Sequence, residues 1–150
     1  MGLNPLRKAR ANESGGAGVH AALSAAIAPK IEDIFDAFYA ERAGDPARSA
    51  PQRDPATARR ARDASLAHWR LLLANPPGEE LKTIARRIGE THVRVKLSPE
   101  IYLGAYGYFF RQFIRILPAR HPRESELVDA LSKSVSVDMA ANLERLFRRR

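Results

Sequence analysis

The residues best suited to chemistry are a histidine and a tyrosine. His92 lies in Arg87-Ile88-Gly89-Glu90-Thr91-His92-Val93-Arg94-Val95-Lys96-Leu97-Ser98-Pro99-Glu100-Ile101-Tyr102. Leu81, Ile84, Ala85, Ile88 and His92 fall on one stripe at helical spacing, so the imidazole is offered toward apolar surroundings. A single neutral imidazole in an apolar slot is what a haem iron requires of an axial ligand. The competing reading is a histidine hydrogen-bonded within a helical core, or an exposed one. Tyr39 follows Phe38 on another apolar stripe, with Ile31, Ile34 and Phe35. A phenol there is either a core tyrosine with its hydroxyl at the edge or a hydrogen-bond donor toward a small polar guest.

The elements that must carry these residues are all helical. No stretch alternates in the two-residue period of a strand, and no Asn-Gly or Asp-Gly hairpin signal occurs. Val19 to Ala28 predicts a short first helix. Pro29 opens a second, with Glu32 and Asp33 at its positive end, and Gly44-Asp45-Pro46 closes it. Residues 45–55, with three prolines, predict a loop. Pro55 to Ala74 predicts a long helix capped by Asp54, ended by Asn75-Pro76-Pro77-Gly78. The histidine helix runs from Glu79 to about Val93. Ser98-Pro99-Glu100 starts the next, which continues from Ile101 to Leu117, and Glu124 to Phe147 is the last. Ile101 to Phe110 contains no acid or base, so that segment must be covered on more than one face.

The block around His92 resembles the proximal region of the bacterial sensor globins, whose pattern is roughly Ile-x-x-x-His-x-Arg-x-Gly-Leu followed by Pro and an aromatic-Tyr pair. The chain keeps Ile88, His92, Arg94, Leu97, Pro99 and Tyr102. It departs at Lys96, where the family usually has Gly, and at Ile101, where it often has Trp. The likeness spans residues 19–147 and implies an all-α globin fold, with a short N-terminal helix and reduced helices after the second. It implies haem b as cofactor and His92 as the iron ligand, with Ile88 and Leu97 on the proximal side. The second ring nitrogen needs a partner, either a backbone carbonyl of its own helix or Tyr102.

On the distal side the resemblance places the family's tyrosine at Tyr39, flanked by Phe35 and Phe38. It puts Ala61, Ala64, Ser65 and His68 on or near the cofactor side of the third helix. His68 is read as a surface or edge histidine, with a second iron ligand as the alternative, and His20 and His121 as helix-end residues without a special role. Arg94 and Lys96 either meet the propionates or are solvated. Lys96 costs little if the backbone there keeps negative φ.

The implied function is reversible binding of O2, or another diatomic gas such as CO or NO, as the input of a sensor without catalysis of its own. Gly104, Ala105 and Tyr108, with part of the last helix, are left for a second copy, so a homodimer through the last two helices is expected. The alternatives are a haem enzyme acting on nitric oxide or peroxide, and a cofactor-free basic helical adaptor.

Composition narrows these choices. One domain is expected over residues 19–150, behind a flexible leader at 1–18. Cysteine is absent, which excludes disulfides and thiolate metal sites. The net charge of +8 invites a nucleic-acid partner. Its arginines are spread over the chain, and no nucleic-acid motif accompanies them, so neither nucleic acid nor membrane is expected. There is no secretory core and no apolar run of about 20 residues, and a cytoplasmic location is expected.

Overall fold

The computed structural model describes residues 16–42 and 54–147, with side chains to residue 145. The described residues form six helices and no strand: α1 Gly16–Ile27, α2 Ile31–Arg42, α3 Pro55–Ala74, α4 Glu79–Arg94, α5 Pro99–Ile116 and α6 Glu124–Phe147. Most of the expected leader, the proline-rich loop with Gly44-Asp45-Pro46, and Arg148 to Arg150 lie outside the described residues. Helix α1 begins at Gly16, earlier than the expected Val19, and α2 begins at Ile31 because Pro29 falls in the turn between them.

The helix starts follow from the caps. Asp54 accepts the Thr57 N–H at 2.9 Å, and Ser98 accepts that of Ile101 at 3.2 Å. In both helices proline fills the first turn, where its missing N–H costs nothing. None of the described helices is long and apolar enough to cross a membrane.

Helix α6 is the spine, with α1, α3, α4 and α5 all packing on it. The core runs through Leu23, Ile27, Ile31, Phe35, Leu72, Leu73, Phe113, Leu127 and Leu131, each no more than 2% exposed. Each such side chain contributes roughly 1.5–3 kcal/mol of burial energy. Aromatic rings fill the middle. Phe109 stacks on Phe35 at 4.3 Å and lies 4.6 Å from Phe38 and 5.4 Å from Trp69.

His20, read from sequence as a helix-end residue, sits inside α1 and is buried. Its Nδ1–H donates to the Leu73 carbonyl at 2.8 Å, satisfying an otherwise open carbonyl in the last turn of α3. This bond ties α1 to α3. His121 matches its reading as a turn residue, its Nδ1 accepting the Arg123 N–H at 3.0 Å.

Helix α4 packs closely on α6 at Gly89. A Cβ on Gly89 would stand 2.5 Å from the Asn142 carbonyl oxygen, so only glycine fits there. Ala85 and Gly89 bury against α6. Leu81, Ile84, Ile88 and His92 form a second stripe of α4 that is only half-covered. Helix α3 makes no extensive contact with α4. Its Leu71 is 46% exposed, and Ala61 and Ala64 are exposed as well. Two helices thus present apolar surface that the other described residues do not cover, which costs free energy unless something else covers it.

Candidate functional site

His92 ends the half-covered stripe of α4, one turn after Ile88. The helix stops just beyond it in a motif that fixes the histidine's backbone. Lys96 N–H donates to the Val93 carbonyl at 3.1 Å and Leu97 N–H to the His92 carbonyl at 2.9 Å. This pair of bonds is the Schellman stop, and it places Lys96 in the left-handed region at φ 55°. The sequence reading allowed Lys96 at little cost only with negative φ, and the observed φ corrects that. A residue with a Cβ pays about 1 kcal/mol or more in this conformation. Lys96→Gly is therefore expected to stabilise the fold by about 1 kcal/mol, offset in part by the freer unfolded chain. A thermal melt of the variant checks this, and an unchanged or lower Tm removes the strain from the account.

The His92 imidazole packs edge-on against Tyr102, with ring centroids 5.0 Å apart and planes at 64°. Its Nδ1 is buried and has no hydrogen-bond partner. Neither of the expected partners is engaged: the ring touches Tyr102, but no carbonyl or hydroxyl takes the nitrogen. Burial lowers the pKa of His92 to about 4, opposed by the charge of Asp138. The imidazole is therefore neutral at ordinary pH and has a lone pair to give. An unpaired buried nitrogen costs about 1–3 kcal/mol, which a ligand would recover. The Tyr102 hydroxyl is also buried without a well-formed hydrogen bond, and burial pushes its pKa well above the ordinary phenol value.

The other expected residues form a second group. Phe35 and Phe38 are buried in the aromatic core, and Tyr39 stands edge-on to Phe38 at 5.1 Å. Tyr39 is half-buried and lines a cleft of about 310 Å³ with Asp36, Ala58, Arg59, Arg62 and Asp63. The Arg42 guanidinium covers the Phe38 ring at 3.7 Å. Ser65 and Leu97 are half-buried, the latter packed against the core. The structure thus brings His92, Ile88, Leu97 and Tyr102 to one corner and Phe35, Phe38 and Tyr39 to another. Ala61 and Ala64 lie on the uncovered side of α3. Arg94 and Lys96 are exposed.

His68 is not the surface residue that the sequence suggested. It is 7% exposed, and its Nε2–H donates to the Asp138 Oδ1 at 2.8 Å. The Tyr106 hydroxyl donates to the other oxygen of Asp138, and the Asn142 amide donates to Tyr106 at 3.1 Å. This buried cluster was missed. Its signal was Ser134, Asp138 and Asn142 spaced four apart on the face of α6 that also carries Leu127 and Leu131.

Among the described residues no three of His, Asp and Glu converge as ligands for a bare ion. The described residues around His92 thus suit a metal that arrives in its own chelator. A porphyrin suits that need, since it supplies four nitrogen donors and leaves an axial position for one imidazole. The residues present fit it: a neutral imidazole with a nitrogen that no described residue claims, at the end of an apolar stripe that the described residues leave half-open.

Six helices on one α spine, a histidine closing the fourth, and uncovered apolar surface on the third and fourth define a globin-type domain. The chain belongs to the protoglobin family, whose model matches residues 18–149, and that membership implies a haem-binding globin domain. No curated protein matches the chain.

Proposed function

We propose that this globin domain binds haem b through His92 and serves as the gas-sensing input of a signalling system, taking O2 or another diatomic gas reversibly. The observation that carries the reading is the half-buried, neutral His92 imidazole with a buried ring nitrogen that no described residue uses. Haem, when bound, supplies the iron that takes the gas. His92 holds the cofactor from α4, Ile88 and Leu97 wall its proximal side, and Tyr102 fixes the imidazole plane by its edge contact. Ala61, Ala64 and Ser65 on α3, with Phe35 and Phe38 on α2, form the distal wall. Tyr39 would donate its hydroxyl to the gas, in surroundings where such a bond is stronger than in water.

The domain acts by binding, without catalysis of its own, in the cytoplasm. A homodimer through α5 and α6 covers the outer face of α5. Leu103 is 43% exposed there, Gly104 is exposed, and Ala105 and Tyr108 are only partly covered.

The test is direct. Protein expressed with ample porphyrin is expected to carry a Soret band and to form reversible O2 and CO complexes. Tyr39→Phe removes one hydrogen bond to a charged acceptor, about 1.5–3 kcal/mol, and O2 dissociation is expected to quicken roughly tenfold to a hundredfold. A colourless protein overturns the reading as a whole. An unchanged dissociation rate in stopped flow removes Tyr39 from it.

A further inference from the structure

The cluster around Asp138 is linked to His92 by side chains in contact. The His92 ring meets Tyr102 at 5.0 Å, and the Tyr102 ring meets Tyr106 at 5.0 Å, edge to face. The Tyr106 hydroxyl then donates to Asp138. Asp138 has a side chain only 1% exposed, and its only ion-pair partner among the described residues is His68.

His68 meets Asp138 through Nε2, and its Nδ1 is buried without a hydrogen-bond partner among the described residues. The Asp138 carboxylate, held by His68 and Tyr106, lies in a part of the protein that salt screens little. That charge already acts at His92, where it opposes the effect of burial.

We propose that Asp138 is a positioning residue for the His92 site: held by His68 and Tyr106, it braces the Tyr106–Tyr102 ring pair against the imidazole and sets a buried negative charge that favours the ferric state of an iron bound there. The proposal rests on the haem reading above. Ferric haem carries one more positive charge than ferrous haem, so a fixed negative charge in a low-dielectric interior stabilises the oxidised form. Nothing in this requires Asp138 to touch the cofactor.

The experiment is spectroelectrochemical titration of the haem-loaded wild type beside Asp138→Asn, Asp129→Asn, Tyr106→Phe and His68→Gln. Asp138→Asn is expected to lower the ferric-to-ferrous ratio at fixed potential about tenfold, a rise of about 59 mV in midpoint for this one-electron couple. Asp129 is an exposed carboxylate on the same helix, and its neutralisation is expected to change the ratio less than twofold. Tyr106→Phe removes a donor to Asp138, His68→Gln replaces an imidazole donor with an amide one, and both keep the carboxylate, so their potentials stay at or below that of the wild type. Urea denaturation of the haem-free variants separates lost packing from lost charge.

Equal potentials for Asp138→Asn and Asp129→Asn overturn the proposal. So does a rise in Tyr106→Phe or His68→Gln as large as the one expected for Asp138→Asn, and these two variants decide the matter if Asp138→Asn does not fold. A wild type without a Soret band defeats the haem reading itself, a result distinct from all of these.

Discussion

Replacing His92 with alanine is expected to yield an apoprotein that folds as the wild type does but no longer keeps haem. The two halves of that expectation come from the same side chain. His92 Nδ1 is buried and unpaired, so the haem-free fold gains no hydrogen bond from the imidazole and loses none with it. What it loses is the edge contact with Tyr102, worth about 0.5–1.5 kcal/mol, and part of that is regained when the orphan nitrogen disappears. On the reading proposed above, a haem-loaded protein would lose its bond from His92 to iron. Removing an outer partner of a metal ligand costs roughly 10–100-fold in metal affinity, and removing the ligand itself costs more than that. The Soret-to-280 nm absorbance ratio after purification, and the rate of haem transfer to an acceptor apoprotein, measure the loss. Added free imidazole is expected to restore part of the retention. A variant that keeps its haem five-coordinate without added imidazole would place the ligand elsewhere.

The largest effect on stability is expected at Phe109. Its ring is 3% exposed and touches Phe35, Phe38, Trp69, Tyr108 and Phe113, so it joins α2, α3 and α5. Rings held from three helices have little freedom to collapse into the space that a truncation leaves. Phe109→Ala is therefore expected near the upper part of the usual range for such changes, about 3–5 kcal/mol. At roughly 2–4 °C per kcal/mol for a chain of this size, the Tm falls by about 10–15 °C. Leu103→Ala is the comparison: that side chain is 43% exposed, and its loss from the isolated domain is expected to cost less than about 0.5 kcal/mol. Urea midpoints at unchanged m-value test both. Similar losses for the two variants would mean that the aromatic centre is not the main source of cohesion.

What could be read in advance depended on whether a residue's type reports its environment. Helices α3 and α6 were legible to the residue, because Asp54-Pro55 and Glu124 open them and Asn75-Pro76 closes the first. The His92 corner was legible as a corner because Ser98-Pro99 can only begin a helix. Its left-handed turn was not, since lysine does not favour positive φ and stands at Lys96 against that preference. His68 and Asp138 were misread or passed over for a related reason. Each is an ordinary surface type, and each becomes a core residue only through the other, seventy positions away. A pairing at that distance leaves no local trace beyond the register of Ser134, Asp138 and Asn142. Ala61 and Ala64 show the reverse case. Alanine is equally at home on a wall or in water, and the structure leaves both exposed.

The contact between Gly89 and the Asn142 backbone has a mechanical meaning. With no room for even a methyl group, α4 is unable to slide along its neighbour without collision, so any tilt of the helix would turn about that point. Gly89 is then a fulcrum, and His92, three residues on and about 4.5 Å further along the axis, rides at the end of a short arm. A pull on the imidazole would tilt that arm, and the stop bonded from Leu97 to the His92 carbonyl would hand the tilt to the first turn of α5.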